Sequence, residues 1–289
     1  MKKILQLSLL ALILAVVAAC GATEEGNTDS SSGDTTITFG VTPWSSTVPP
    51  TQVAKLILED MGYSVEEVSA DAGGVYAGLS RGDLDVFMDA WLPDMHKNYM
   101  EQFGDKLSSI SVSYPDGDIG WVVPTYLEDI NTVEDLIGIE DQFGNEFYGI
   151  EEGAGATMTS RELIEDYGLD MDHVSSSEGG MLAQASRQMA NEEPVVFFGW
   201  RPHPMFVNYD LKVLEDTKGY FVASEVHVIA NNDLEERAPD AYQFLSNWNI
   251  DVSDVEQMII DIEDGMAPEE VAQAWIDENQ DHVAEMIGE

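Results

Sequence analysis

The feature that most constrains this chain is a quasi-repeat in its interior. The wording LILEDMGY at 56–63 reappears as ELIEDYGL at 162–169. Gly73-Gly74 follows Asp60 by 13 residues, and Gly179-Gly180 follows Asp166 by 13. DVFMDAW, ending at Trp91, then answers to VVFFGW, ending at Trp200. The same alternation of elements runs through both halves. In the first, 36–41 (TITFGV) reads as a β-branched strand, and 51–61 as a helix with Val53, Leu56, Ile57 and Met61 on one face. A strand at 65–68, a helix at 74–79 and a strand at 84–88 follow. In the second, 146–150, 157–167, 173–175, 181–190 and 194–198 give the same order. A chain that alternates short strands with helices builds mostly parallel sheets covered by helices. Used twice, the unit implies an α/β fold of two lobes. Ligands of such sheets lie beyond the carboxyl ends of the strands.

The expected partition follows. Residues 36–122 form the first part of lobe 1, 123–217 form lobe 2, and 218–289 return to lobe 1 with the C-terminal helices. The apolar strand at 119–124 (IGWVVP) is the expected crossing, and 130–137 a short helix. Near the end, Ser253-Asp254-Val255-Glu256 fits a capping box ahead of Met258 and Ile259.

The first residues read as an address. Lys2 and Lys3 precede an apolar run from Ile4 to Ala19, broken only by Gln6 and Ser8. The run is short for a membrane-spanning helix. It closes on Val17-Ala18-Ala19-Cys20, small residues before the only cysteine of the chain. This resembles the lipobox of bacterial lipoproteins and implies a signal peptide at 1–19, cleavage before Cys20 and an acyl anchor on its sulfur. The stretch at 20–35 (CGATEEGNTDSSSGDT) has no apolar period and reads as a flexible tether. The working domain is therefore expected outside the cytoplasmic membrane, held to its outer face or in a periplasm.

Charge narrows the partners. Without the leader the chain has 55 acids against ten bases, a net charge of −45. No basic stripe for a phosphate backbone can be built from so few cations, so nucleic acid is excluded. A field of this size suits a protein of a halophile, where high salt screens the repulsion. With 44% hydrophobic residues the chain still buries a core.

Of six tryptophans, Trp121, Trp248 and Trp275 fall within strand or amphipathic helix patterns and read as core. Trp44, Trp91 and Trp200 differ, because each stands where a strand gives way to a loop, beside Pro or Gly. If the lobes face each other, these three indoles meet in one cleft. Their natural guest is a cation that donates no hydrogen bonds, such as a quaternary ammonium. Each desolvated cation–π contact contributes roughly 2 kcal/mol. Three give about 6 kcal/mol, much of the ~8 kcal/mol of a micromolar complex. Two further features suit an anion. The Gly-rich loop at 149–156 opens a helix, leaving the amides of Gly155 and Ala156 free for a carboxylate. His96 stands five residues beyond Trp91 and reads as a ligand contact.

At these residues the chain resembles a known family. AWLPxxH at 90–96, GWxPHxMF at 199–206 and GIxxGAG at 149–155 are similar to the OpuAC-type glycine betaine binding proteins of osmoprotectant ABC transporters. The resemblance runs from about residue 36 to 287 and implies a two-lobe periplasmic-binding-protein-like fold with the ligand between the lobes. It implies a trimethylammonium cage of Trp44, Trp91 and Trp200, and a carboxylate clamp of His96 with the amides of Gly155 and Ala156. His203 is placed behind the cage. Family members often carry Trp where this chain has Pro204, and a larger aliphatic residue where it has Ala156. The implied partners are a membrane permease and its cytoplasmic ATPase, with the binding protein a monomer and without cofactor.

Three other readings compete. A receptor for choline, carnitine or proline betaine would share the cage; the carboxylate clamp favours a zwitterion over choline. A structural surface lipoprotein would have no use for three indoles at strand ends. A secreted hydrolase is suggested by Gly78-Leu79-Ser80-Arg81-Gly82, a literal GxSxG. A nucleophile elbow needs strand, turn, then helix. Here the order is helix, turn, strand. No HExxH or CxxC spacing is present, so no metal site is expected.

Overall fold

The computed structural model describes residues 35–93 and 95–289. The leader, Cys20 and all but the last residue of the tether lie outside the described residues. Among the described residues no helix is long and apolar enough to cross a membrane.

The chain runs β1 (Thr36–Val41), α1 (Val48–Asp60), β2 (Ser64–Ser69), α2 (Ala72–Arg81) and β3 (Val86–Leu92). It continues through α3 (Lys97–Phe103) and β4 (Leu107–Gly117), then β5 (Ile119–Pro124). The second unit is β6 (Glu146–Gly149), α4 (Gly155–Tyr167), β7 (Asp172–Ser175), α5 (Glu178–Met189) and β8 (Phe197–Trp200). After α6 (Met205–Asn208) come β9 (Leu211–Val213) and β10 (Ser224–Asn231). Five helices close the chain: α7 (Leu234–Arg237), α8 (Pro239–Asn247), α9 (Val252–Glu263), α10 (Pro268–Glu278) and α11 (Gln280–Ile287).

Two five-stranded sheets result, in the orders β2-β1-β3-β10-β4 and β7-β6-β8-β5-β9. Within each repeated unit the pairing is parallel, as expected: β1 with β2 and β3, and β6 with β7 and β8. The strands that carry the chain between lobes pair antiparallel, so each sheet is mixed.

The quasi-repeat is a repeat of helix stops and starts. The matched EDxG wording ends α1 and α4, where Gly62 and Gly168 take φ of 94° and 69°. The matched Gly-Gly pairs lie in the first turns of α2 and α5. Asp71 accepts from the N–H of Gly74 at 2.6 Å and Ser177 from that of Gly180 at 3.2 Å, capping both helices.

Two expectations need correction. The crossing does not fall after Val122. Residues Ile119–Val122 pair with Phe197–Trp200, so the chain enters lobe 2 between Gly117 and Ile119. An apolar strand buried on both faces carries no mark of which sheet owns it. The chain leaves the second sheet after Val213 and rejoins the first at Ser224. The cap of α9 is Asp251, whose Oδ1 accepts from the N–H of Ser253 at 2.8 Å; Ser253 already lies inside the helix.

The three tryptophans read as core are core. Trp121 stacks on Phe147 with centroids 3.9 Å apart and donates to Ser160 Oγ. Trp248 donates to Ser113 Oγ, and Trp275 to Asp254 Oδ2.

Candidate functional site

Trp91 and Trp200 stand at the carboxyl ends of β3 and β8, the central strands of the two sheets. Each leads into a cis X-Pro corner, Leu92-Pro93 and Arg201-Pro202. Trp44 follows β1 and caps the 3-10 turn Ser45–Thr47. All three are buried and line one cavity between the lobes. His96, Gly155 and Ala156 line the same cavity. The structure thus brings together all six residues singled out as ligand contacts.

Their polar ends are set locally. His96 closes the corner after Trp91. Its backbone N–H donates to Trp91 O, and its Nδ1 accepts from the N–H of Trp91, both at 3.0 Å. An acceptor Nδ1 puts the ring proton on Nε2. Burial pushes His96 down to about 3, so the ring is a neutral donor at physiological pH. Its face stacks on Trp44 at 5.7 Å. Gly155 and Ala156 are the first two residues of α4, whose extended cap, Ala154, supplies no side-chain acceptor. Amides in that position have no intrahelical acceptor and aim outward, where the helix end favours an anion. Gly155 also lies against the opposite lobe, at the backbone of Met95.

The lobes are closed on one another. The indole N–H of Trp44 donates to Glu151 Oε1 across the cleft at 2.8 Å. The N–H of Ser45 donates to Glu178 Oε2 at 3.0 Å, and Tyr99 OH donates to Gly153 O at 2.7 Å.

His203 is not among the residues that line the cavity. Its Nδ1 accepts from the N–H of Met205 at 2.9 Å, so Nε2 donates to Glu178 Oε1 at 3.1 Å. The ring meets Trp200 edge-on, with centroids 4.7 Å apart. It therefore fixes both the third indole and the carboxylate that grips Ser45.

Several residues escaped the sequence reading. Asp89, fully buried in β3, accepts from Trp91 Nε1 at 2.9 Å, Ser46 Oγ at 2.8 Å and Thr47 Oγ1 at 2.7 Å. Burial raises it above the usual carboxylate range, and these three donors act the other way. Its only signal was an acid inside an otherwise apolar strand. Glu151 and Glu178 gave none, being two among 55 acids. Ser80, of the GxSxG wording, lies in the last turn of α2 and donates to Ala77 O at 2.9 Å. It has the geometry of a helical serine and no nucleophile elbow around it.

Comparisons with known proteins point to one family. The OpuAC family model, the substrate binding domain of an ABC-type glycine betaine transport system, matches residues 35–278. The glycine betaine/carnitine transport binding protein GbuC of Listeria monocytogenes is 37% identical over 148 residues, 50% of this chain and 49% of that protein. The match thus spans about half the length of that relative. Lactococcal OpuAC, in its closed-liganded conformation complexed with glycine betaine, superposes with a TM-score of 0.83 at 30% identity, covering 88% of this chain and 100% of that one. The glycine/betaine/L-proline-binding protein ProX of Borrelia burgdorferi gives 0.83 at 27% identity, over 86% and 95%.

Proposed function

This chain belongs to the OpuAC family of ABC-type glycine betaine substrate-binding domains, and from that premise we propose that it captures a betaine between its lobes and hands it to an importer. One observation carries the reading. A ring of three indoles and a set of anion-facing donors line the same cavity, as a molecule with a trimethylammonium at one end and a carboxylate at the other requires. Trp44, Trp91 and Trp200 surround the methyl groups. His96 Nε2–H and the amides of Gly155 and Ala156 hold the carboxylate, and His203 braces Trp200 and Glu178. The ligand is bound, not transformed.

Binding closes the lobes, and the closed form docks on a membrane permease driven by a cytoplasmic ATPase. The protein works outside the cytoplasmic membrane as a monomer, anchored by acyl groups on Cys20 after removal of 1–19. Residues 36–118 and 224–289 act as one lobe and 119–213 as the other.

Titration calorimetry of the purified full chain with glycine betaine, proline betaine, carnitine and choline tests this. Saturable binding of a betaine in the micromolar range or tighter, with choline weaker, is expected. Heat with choline alone would overturn the carboxylate clamp. Heat with none of the four would overturn the cage.

A further inference from the structure

Asp89 is a buried acid without a counter-charge. It is 0% exposed, and among the described residues it has no ion pair. Two hydroxyls and an indole donate to it, the buried hydroxyl of Tyr114 also bears on it, and the charged group that bears on it most is Glu178, of like sign. An ionised group buried this way is strongly unfavourable unless a compensating charge lies close by. The cavity lies one layer away, on the far side of Trp91 and Ser46, both of which line it.

A second carboxylate repeats the arrangement. Glu151 accepts from the indole N–H of Trp44, and its other oxygen, Oε2, is buried with no donor among the described residues. Two of the three indoles therefore donate their N–H to a carboxylate. Hydrogen bonds in a low-dielectric interior polarise one another. An anion at the N–H end drives electron density into the ring and strengthens its attraction for a cation on the face.

We propose that Asp89 is a specificity-determining residue, a buried carboxylate acting through the indole of Trp91 so that the cavity selects a permanent cation over a neutral group of the same shape. The bound ammonium supplies the counter-charge that the protein withholds. Glu151 acts in the same sense through Trp44. The proposal rests on reading the cavity as a betaine site.

The test compares glycine betaine with 3,3-dimethylbutanoate, in which carbon replaces the ammonium nitrogen. Shape, methyl groups and carboxylate are kept, and only the positive charge is lost. Affinities are measured on the full chain by calorimetry, with displacement of betaine for the weaker ligand. Asp89→Asn keeps an oxygen for Trp91 Nε1 and removes the charge. The expected result is a loss of about tenfold or more for betaine. Dimethylbutanoate should hold its affinity or gain, so that the ratio of the two collapses. Glu151→Gln, also isosteric, should lower the ratio by a smaller factor and serves if the first variant does not fold. A fall shared equally by both ligands would mean that Asp89 merely shapes the cage, and that would overturn the proposal. An unchanged ratio in both variants would do the same. Failure of the unmodified protein to bind betaine is a different result, and it would remove the functional reading beneath.

Discussion

A Cβ atom placed on Gly155 would lie 1.8 Å from the carbonyl oxygen of Met95, an atom of the opposite lobe. Glycine is needed there for an approach between two halves, not for a turn within one. Gly155→Ala should therefore leave each lobe folded and oppose only their closure. The ligand-free melting temperature should stay within a degree or so, because surface changes away from packed contacts are nearly neutral. Betaine affinity should fall by about tenfold or more, as the overpacking cost of a methyl group implies. Calorimetry and thermal melts with and without betaine would check both. An unchanged ligand-induced rise in melting temperature would contradict the account.

The six tryptophans should divide into two classes. Alanine at Trp44, Trp91 or Trp200 should weaken betaine binding by more than about tenfold each. Alanine at Trp121, stacked on Phe147, should instead destabilise the protein by about 3–5 kcal/mol. Ser80→Ala, which removes one bond inside a helix, should do neither. Denaturant melts beside calorimetry would separate the classes.

The pH dependence follows from His96. Its folded value, about 3, lies below the ordinary value of 6.5. The neutral ring thus contributes stability that is present above about pH 6.5 and lost as pH falls toward 3. Between about pH 7 and about pH 4.5, the stability advantage of the unmodified protein over His96→Gln should shrink by about 2 kcal/mol. Betaine affinity should stay flat over about pH 6–8, since the Nε2–H donor does not titrate there. A step in affinity centred near the ordinary histidine value would disprove a neutral clamp.

Tyr99 reaches across the cleft to Gly153 O. Tyr99→Phe should reduce betaine affinity by about twofold to tenfold, the net worth of one hydrogen bond. The bond exists only between lobes, so the melting temperature without ligand should not move. A loss of stability without a loss of affinity would place the tyrosine in the lobe core instead.

Much of this was legible in the sequence because the repeat is written in helix punctuation. Gly62 and Gly168 end helices, and Gly73-Gly74 and Gly179-Gly180 begin them, so both β-α-β-α-β units could be laid out before any contact was known. What lay outside the repeat was harder to see. Strand β4 is half serine at its start, Leu-Ser-Ser-Ile-Ser-Val-Ser, which weakens the apolar alternation of an edge strand. The helix α8 is only nine residues long, too short for its apolar spacing to stand out. The tryptophans at the strand ends stood out because indoles are few. Asp89 did not, because acids are many and only burial sets one apart. Corners made by a histidine that accepts from a nearby backbone N–H, as at His96 and His203, depend on side-chain placement that spacing does not disclose.

The cavity takes walls from both lobes, Trp44 and Trp91 from one and Trp200 and Gly155 from the other. A guest held in this way touches both halves at once. Its escape is therefore coupled to the parting of the halves, which removes one set of contacts at a stroke. Residence time becomes a property of the hinge, and a docked partner that pulls the lobes apart can empty the site without competing for a single contact within it.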